Sequence, residues 1–267
     1  MIKVIAVDKD GTLMRSDHTF DKLYFDQLFQ IMKAQHIKFI VASGNQYAQL
    51  KSLFPDKVND ITFVAENGAI TYYRDEILDV NYFDKTVLQQ VLNDIIDKHK
   101  VTDLIISGVR TAYVLPNVTE DFTAYINHYY YDVKQVNRFE DITDDDFVKV
   151  AMRIKDTVVL DQVKSDLETQ YPQHLRAVTS GNDSLDLILP AVNKGVAIQS
   201  LLARWDIEQE ALLAFGDADN DIEMLGLTPH SYAMAECSDA LATVANNRAP
   251  SNNDSGVLKV IERFITS

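Results

Sequence analysis

The chain has 267 residues, of which 46% are hydrophobic and 24% charged, a balance typical of a folded protein with one or two domains. Its 25 basic residues are outnumbered by 40 acidic ones, which gives a net charge of −15. A field of that sign repels nucleic acid and anionic membranes, so we expect neither as a main partner. The single cysteine, Cys237, excludes an internal disulfide and a thiolate zinc site.

The hydropathy pattern predicts a cytoplasmic protein. The apolar run at 2–7 is too short for a signal peptide and is followed by charged residues. No stretch approaches the roughly 18 apolar residues that a membrane-spanning helix needs.

The first 83 residues alternate between strand and helix patterns. Short β-branched runs predict buried strands, and apolar residues at helical spacing predict helices between them. The predicted elements are strands at 2–7, 37–42, 61–65 and 69–73, and helices at 21–35 and 46–53. The pair Asn67-Gly68 is a turn signal between the last two strands. This alternation favours a parallel sheet with helices on both faces.

The pattern changes at about residue 84 and resumes at about 185. The middle segment predicts an α+β unit with its own sheet, in which the acidic stretch 141–146 is a solvated loop. A strand at 185–189 then resumes the α/β pattern, which ends in a helix at 256–265. We therefore predict an α/β core formed by 1–83 and 185–267, with a second domain inserted at 84–184.

Three of the predicted core strands end in polar clusters, where open α/β sheets bind ligands. The first cluster is Asp8 and Asp10, which point to the same side of an extended chain. Close carboxylates repel unless a cation or a shared proton lies between them. A solvated turn capped by aspartate is the alternative interpretation. A calcium loop is excluded, because no glutamate stands at its twelfth position.

The other two clusters contain groups that suit an anion and a cation. Ser43, Gly44 and Asn45 offer hydroxyl, backbone and amide donors at the start of a predicted helix, which suit an anion, although a helix-capping serine has the same pattern. The segment 216–221 is rich in carboxylates, which suit Mg²⁺ or the positive end of a helix. We favour the metal for Asp217 and the helix start for Asp219.

Lys194 lies in the first turn of a predicted helix, where the helix dipole disfavours a positive charge. That placement indicates a role other than helix stability, although a surface lysine is the alternative. Together the clusters supply a nucleophilic carboxylate, a second carboxylate, a hydroxyl, a lysine and a metal-binding carboxylate. This set of groups is typical of phosphoryl transfer, where positioning and charge neutralisation supply most of the catalysis.

The sequence resembles the haloacid dehalogenase (HAD) superfamily, in its Cof-type branch of phosphatases with a type IIB cap. The residues 8–12 match the family motif DxDGT, Ser43 the second motif, Lys194 the third, and 216–221 the fourth, GDxxND. The stretch at 41–69 is most similar to bacterial sugar phosphatases. The resemblance implies a Rossmann-like core with a parallel sheet and an inserted α+β cap of type C2B. Lys9 departs from the pattern, because an apolar residue usually occupies its position, and Asp219 stands where a small residue is frequent.

The resemblance implies a Mg²⁺-dependent phosphomonoesterase that hydrolyses small phosphorylated metabolites, sugar phosphates above all. Asp8 would attack phosphorus to form an aspartyl-phosphate. Asp10 would protonate the leaving oxygen and then take a proton from the attacking water. Mg²⁺ would be held by Asp8, the Asp10 carbonyl and Asp217.

The same resemblance implies supporting roles for further residues. Ser43 and Lys194 would bind phosphate oxygens together with the neighbouring Gly44 and Asn45. Asn220 would help to orient the phosphate, and Asp221 would hold Lys194 or a metal-bound water.

Two loops of the inserted domain, at 107–110 and 179–182, mix glycine with hydrogen-bonding side chains. Arg110 and Asn182 are therefore our candidates for recognising the sugar, the alternative being that both loops are plain turns. A site that makes only a few polar contacts with the sugar discriminates weakly between different sugars, so we expect a broad substrate range.

Other functions use a similar set of groups. A phosphomutase of the same superfamily would return the phosphoryl group to a sugar. A Mg²⁺-dependent phospho-acceptor signalling domain also uses a strand-end aspartate, a hydroxyl and a lysine, but it lacks a large insertion. A catalytically inactive sugar-phosphate sensor would lack a catalytic group. We expect a monomer or a weak homo-oligomer.

Overall fold

The computed structural model describes residues 1–179 and 183–266, and in it the chain forms two compact units. The first unit comprises Met1–Gly44, Phe54–Leu78 and Asn193–Ser267, and the second comprises Asn45–Leu53 and Asp79–Val192. Among the described residues, none of the helices combines the length and the apolar character needed to cross a membrane.

The strands of the described residues, in chain order, are β1 (Val4–Asp8), β2 (Lys38–Ala42), β3 (Ile61–Ala65), β4 (Ile70–Tyr73), β5 (Glu76–Val80), β6 (Leu104–Gly108), β7 (Ala112–Val114), β8 (Val133–Gln135), β9 (Phe147–Arg153), β10 (Arg176–Thr179), β11 (Ser184–Ile188), β12 (Leu212–Gly216), β13 (His230–Ala233) and β14 (Asn247–Arg248). The α-helices are α1 (Lys22–Ala34), α2 (Tyr47–Ser52), α3 (Lys85–Asn93), α4 (Glu120–Tyr129), α5 (Thr157–Gln170), α6 (Lys194–Arg204), α7 (Ile222–Leu225), α8 (Asp239–Val244) and α9 (Gly256–Ile265).

The first unit is built on an eight-stranded sheet in the order β14-β13-β12-β1-β2-β3-β4-β5. The strands from β14 to β3 are parallel, and β4 returns antiparallel to β3. Every residue of β1, β3 and β12 is buried, as the continuous apolar runs of parallel strands require. Because β1 pairs with both β2 and β12, the residues that follow these three strands meet at one edge of the sheet.

The helices of the first unit cover this sheet with apolar side chains. On one face, Ile198 and Leu201 of α6 pack with Val4 and Ile40 of the central strands. The side chain of Asn193 accepts a hydrogen bond from the Val196 N–H at 2.8 Å and so caps the start of α6. The capped helix start places Lys194 at the edge where β1 and β12 end.

The second unit has a six-stranded sheet in the order β10-β11-β9-β6-β7-β8. Its strand pairs are antiparallel except for β7 and β8. Alternation along β6 separates two apolar clusters: Leu104 and Ile106 pack with α3 and α5, and Ile105 packs with α4. The fold is therefore a Rossmann-like α/β core with an inserted α+β cap, which confirms the predicted fold class.

One predicted strand belongs to a different sheet from the one expected. The apolar run predicted as a core strand at 185–189 is β11, and it pairs with β9 and β10 in the second unit. A short apolar run has the same sequence pattern in either sheet, so only its pairing partners show which sheet it joins. The exact bounds of the predicted inserted domain, 84–184, stay a prediction.

The acidic stretch 141–146 is not a solvated loop throughout, so that prediction is wrong for Asp145. This carboxylate is buried, and it accepts hydrogen bonds from the N–H groups of Val109 and Arg110 and from the Tyr113 hydroxyl, the last at 3.0 Å. Acidic composition alone does not reveal such partners, which lie more than 30 residues away along the chain.

Candidate active site

Asp8 ends the central strand β1 and is buried. The chain then bends at Gly11, whose φ of 75° lies in the left-handed region. A Cβ atom at Gly11 would collide with the Asp217 carboxylate. Thr12 donates a hydrogen bond from Oγ1 to Oδ1 of Asp217 at 2.7 Å. The bend at Gly11 thus leaves space for the Asp217 carboxylate, and the Thr12 hydroxyl orients that carboxylate by a hydrogen bond.

Lys194 lies between two carboxylates. Its Nζ is 2.5 Å from Oδ1 of Asp8 and 2.7 Å from Oδ1 of Asp221, and the side chain is completely buried. Burial by itself lowers the pKa of a lysine, but the two carboxylates outweigh it and hold the pKa of Lys194 above its usual value. The ammonium therefore stays charged and neutralises part of the negative charge around Asp8.

Both oxygens of Asp221 have partners. While Oδ1 contacts Lys194, Oδ2 accepts hydrogen bonds from the N–H groups of Asp217 at 3.0 Å and Ala218 at 3.2 Å. Asp221 thereby closes the turn after β12 and orients Lys194. Of the two supporting roles expected for it, the structure places its side chain on the lysine.

The carboxylates of Asp8, Asp217 and Asp221 each have an oxygen within 4.8 Å of the others. Burial raises the pKa of Asp8 well above its usual value, with Lys194 opposing the shift. Burial, and then the neighbouring charge of Asp221, raise the pKa of Asp217 to about 6. The cluster brings three carboxylates to one ammonium, so Lys194 cannot balance all of its negative charge when the three are ionised. Hard carboxylate oxygens in this arrangement fit a divalent cation such as Mg²⁺.

Asp10 has a basic partner that the sequence did not assign to it. The Nζ atom of Lys9 lies 2.8 Å from Oδ2 of Asp10, and the Lys9 side chain is only 6% exposed whereas that of Asp10 is 42% exposed. Lys9 therefore directs its ammonium to the carboxylate that we expect to act as acid and base.

Ser43 and Asn220 are connected through Asn67. Ser43 is buried directly after β2, and its carbonyl accepts a hydrogen bond from the Asn67 N–H at 3.0 Å. The Asn220 amide donates from Nδ2 to Oδ1 of Asn67 at 3.1 Å. The sequence pattern predicts only a turn at Asn67. The available signal was an Asn-Gly pair at the end of a strand, since asparagine tolerates the left-handed region.

Two further predicted residues make contacts outside the carboxylate cluster. Asn45 belongs to the second unit, where its amide donates to Oε1 of Gln49 at 2.6 Å. Asp219 accepts a hydrogen bond from the Ser238 hydroxyl at 2.5 Å, which links it to the start of α8.

Of the two cap candidates, Arg110 is in the second unit with a 70% exposed side chain, and its guanidinium is 3.7 Å from Asp144. Asn182 lies outside the described residues.

Comparison with known proteins finds relatives of this chain along its whole length. The chain is 36% identical over 264 residues to the 5-amino-6-(5-phospho-D-ribitylamino)uracil phosphatase YbjI of Escherichia coli, covering 99% of this chain and 96% of that one. The crystal structure of SMU.1108c from Streptococcus mutans superposes with a TM-score of 0.93 at 33% identity and covers both chains completely. The HAD subclass IIB sugar phosphatase BT4131 superposes with a TM-score of 0.83 over 98% of both chains, and at 19% identity this likeness shows the fold alone.

A family model described as haloacid dehalogenase-like hydrolase matches residues 5–261. This match includes the ends of β1, β2 and β12 and the start of α6, where Asp8, Ser43, Asp217 and Lys194 lie. The chain therefore belongs to the haloacid dehalogenase-like hydrolases, in their Cof-type branch of phosphatases.

Proposed function

We propose that this HAD-family phosphatase is a Mg²⁺-dependent phosphomonoesterase that hydrolyses sugar or sugar-alcohol phosphates through a phosphorylated Asp8. The observation that carries the proposal is the contact of Lys194 with Asp8 at 2.5 Å, inside the carboxylate cluster that includes Asp217. A nucleophile held by a charged lysine at the end of a central parallel strand suits attack on an anionic phosphate.

In the first half-reaction, an Asp8 oxygen forms a bond to phosphorus and the bond from phosphorus to the ester oxygen breaks. Asp10 donates a proton to that oxygen, so the leaving group departs as a neutral alcohol. The ammonium of Lys194 faces the nucleophile and offsets the negative charge that the phosphoryl group brings. Lys9 keeps the Asp10 carboxylate in a defined position.

In the second half-reaction, Asp10 takes a proton from water as the water oxygen attacks phosphorus. The bond between phosphorus and Asp8 then breaks, which regenerates the carboxylate and releases inorganic phosphate. Ser43 and Asn220 bind the non-bridging oxygens in both steps, together with the backbone at Gly44.

Asp8, Asp217 and the carbonyl of Asp10 are the groups that would hold Mg²⁺. When bound, the ion supplies a Lewis acid that neutralises phosphate charge. Asp221 takes no direct part in this set, because its two oxygens are engaged with Lys194 and with two backbone amides.

The choice of substrate class rests on the motif resemblance to sugar phosphatases and on the name of the Escherichia coli relative. That name describes a phosphate ester on a ribityl chain, which is a sugar alcohol. A phosphorylated ribitylaminouracil is accordingly the second candidate substrate. Arg110 and Asn182 remain our proposed residues for reading the leaving group, and a small phosphorylated metabolite in the cytoplasm remains the proposed partner.

The covalent route is tested by Asp8→Asn. An amide is a far poorer nucleophile, so we expect turnover of any phosphate ester to fall by at least about 10³-fold with an unchanged circular dichroism spectrum. Brief reaction of the wild type followed by acid quench and mass spectrometry should find the added phosphoryl group on the peptide containing Asp8. A variant that retains more than a few per cent of activity would rule the mechanism out.

The substrate class is tested with a panel of sugar phosphates, sugar-alcohol phosphates, nucleotides and an aryl phosphate. In ¹⁸O-labelled water, a phosphatase places the label in released phosphate, whereas a phosphomutase yields an unlabelled sugar phosphate. Arg110→Ala should change the ranking of sugars while aryl phosphate hydrolysis is kept. Arg138→Ala, another exposed arginine of the second unit, is the matched control. A uniform loss on all substrates would remove Arg110 from the recognition site.

A further inference from the structure

The turn between β3 and β4 has an unusual backbone. Glu66, Asn67 and Gly68 have φ angles of 52°, 58° and 101°, so all three lie in the left-handed region. Asparagine and glycine tolerate that region, whereas it is unfavourable for glutamate. All three residues are also buried. A strained and buried turn persists only where surrounding contacts hold it, and such turns cluster at functional sites.

Asn67 contacts two of the segments that carry proposed phosphate-binding groups. Its N–H donates to the Ser43 carbonyl at 3.0 Å, and its Oδ1 accepts from Nδ2 of Asn220 at 3.1 Å. Its side-chain amide also packs against Gly44, where an added Cβ atom would lie 3.0 Å from Oδ1 of Asn67. One buried side chain therefore lies against the residues that follow β2 and those that follow β12.

Gly68 brings the same turn against a third segment. An added Cβ atom at Gly68 would collide with the carbonyl of Asn193, the capping residue of α6, and would lie 3.2 Å from the backbone nitrogen of Lys194. The turn 66–68 therefore packs on the helix start that holds Lys194 in place. Ser43, Lys194 and Asn220 come from distant parts of the chain, and this turn contacts the segment of each.

We propose that Asn67 is a positioning residue of the phosphatase: its Oδ1 holds the amide of Asn220 in the orientation that binds phosphate. The inference rests on the proposed function, because it assigns Asn220 to the phosphate. A bound group displaced by about 1 Å can cost about 100-fold in rate, so a single buried acceptor can matter for turnover without touching the substrate.

The decisive variant is Asn67→Gly. Glycine keeps the N–H that bonds Ser43 and accepts the left-handed backbone without strain, so the variant removes only the contacts of the side chain. We expect kcat/KM to fall about 10- to 100-fold and the affinity for inorganic phosphate, measured by calorimetry with Mg²⁺, to weaken, while the circular dichroism spectrum of the folded variant is unchanged. Weaker phosphate binding by a folded variant separates positioning from a merely structural role.

A double-mutant cycle tests whether Asn67 acts through Asn220. In an Asn220→Ala background, Asn67→Gly should change kcat/KM by less than about twofold, because the group it positions is already gone. The matched control is Asp206→Gly, which removes another side chain from a left-handed position, with φ of 54°, on an exposed part of the same unit. That control should leave kcat, KM and phosphate affinity unchanged.

Asn67→Asp provides an independent check, since it keeps an oxygen acceptor for Asn220 but adds a negative charge near the phosphate. We expect it to keep most of kcat and to raise KM. The inference is overturned if Asn67→Gly behaves as the wild type, if its effect is as large in the Asn220→Ala background, or if Asn67→Asp loses as much kcat as Asn67→Gly. Wild-type protein and Asp8→Asn are assayed in parallel. If Asp8→Asn is as active as the wild type, the proposed function itself is refuted. If Asp8→Asn is inactive but Asn67→Gly is as active as the wild type, only the positioning role of Asn67 is refuted.

Discussion

Lys9 and Lys194 are both buried, but their ammonium groups have different partners. Lys194 contacts two buried carboxylates, whereas Lys9 contacts the partly exposed carboxylate of Asp10. Burying an ammonium costs free energy, and a partner that remains in contact with water returns only part of that cost. The position of Lys9 therefore indicates a role in activity rather than in stability.

We expect Lys9→Met to keep or raise Tm, because a buried methionine carries no charge to desolvate. Activity should fall, because Asp10 loses the ammonium that holds its carboxylate. The loss of kcat should be about tenfold greater for an alkyl phosphate than for an activated aryl phosphate, which needs little protonation of its leaving group. Lys9→Arg, which retains a cation, is the control. Equal losses of kcat on the alkyl and aryl phosphates would show that Lys9 does not support the acid role of Asp10.

Asp217 makes a pH-dependent contribution to the stability of the metal-free protein. Its pKa rises from the ordinary 3.8 to about 6 in the folded state, so folding favours the protonated form. The stability associated with that proton is complete below pH 4 and is lost as the pH rises through 6. Above pH 6 the ionised carboxylate destabilises the fold unless a cation is present.

Asp217→Asn cannot ionise, yet its amide oxygen can still accept the hydrogen bond from Thr12. We compare the free energies of unfolding of Asp217→Asn and the wild type in the presence of a chelator. The variant should gain stability over the wild type as the pH rises from 4 to 7, by up to about 3 kcal/mol. Urea unfolding at several pH values measures this difference. A difference that stays constant or shrinks with rising pH would contradict the raised pKa of Asp217.

At the scale of single elements, Asp145 shows how one carboxylate holds a turn. It accepts hydrogen bonds from consecutive backbone N–H groups of the loop between β6 and β7, which carries Arg110, and from Tyr113 on β7. Burial, and then the hydrogen bond to Asp145, raise the pKa of the Tyr113 hydroxyl above its usual value. The loop is thus anchored from within the second unit.

We expect Asp145→Asn to destabilise the protein by about 1–3 kcal/mol, because the amide turns a donor toward some of these buried N–H groups. The adjacent Asp146→Asn is the matched control. Its carboxylate is 46% exposed and pairs with the exposed Lys85 at 3.1 Å, so its loss should cost less than about 0.5 kcal/mol. Denaturant unfolding followed by circular dichroism measures both. Similar effects of the two substitutions would show that the buried contacts of Asp145 contribute little.

At the scale of the whole molecule, a net charge of −15 and a buried carboxylate cluster both favour a bound cation. The single tryptophan, Trp205, lies in the first unit, so its fluorescence reports the unfolding of the unit that contains the cluster. A ligand that binds only the folded state stabilises it according to its concentration relative to its Kd.

We expect Mg²⁺ at 100 times its Kd to stabilise the first unit by about 2.7 kcal/mol over the protein in chelator. Tryptophan fluorescence during urea unfolding measures the shift. Asp217→Asn is the control, and its response to Mg²⁺ should be much smaller at the same concentration. An equal response of the two proteins would place the cation elsewhere.

The family of phosphatases and the order of most strands and helices can be predicted from the amino-acid sequence alone. Strand and helix periodicity depends on residues within a few positions of each other, so 61–65 and 256–265 were predicted with the bounds that the structure has. The four motifs predicted the HAD family, which is confirmed. The roles assigned to Asp8, Asp10, Ser43 and Asn220 stay predictions.

The contacts between groups that are distant along the chain become visible only in the folded protein. Lys194 and Asp8 are 186 positions apart, and Asn67 and Asn220 are 153 apart, so no local pattern records their contacts. The same holds for β11, whose apolar run fits either sheet until its pairing with β9 is known. The burial of acidic residues is also decided by the fold. Whether an aspartate such as Asp145 is solvated depends on the surrounding chain, which brings distant hydrogen-bond donors to it.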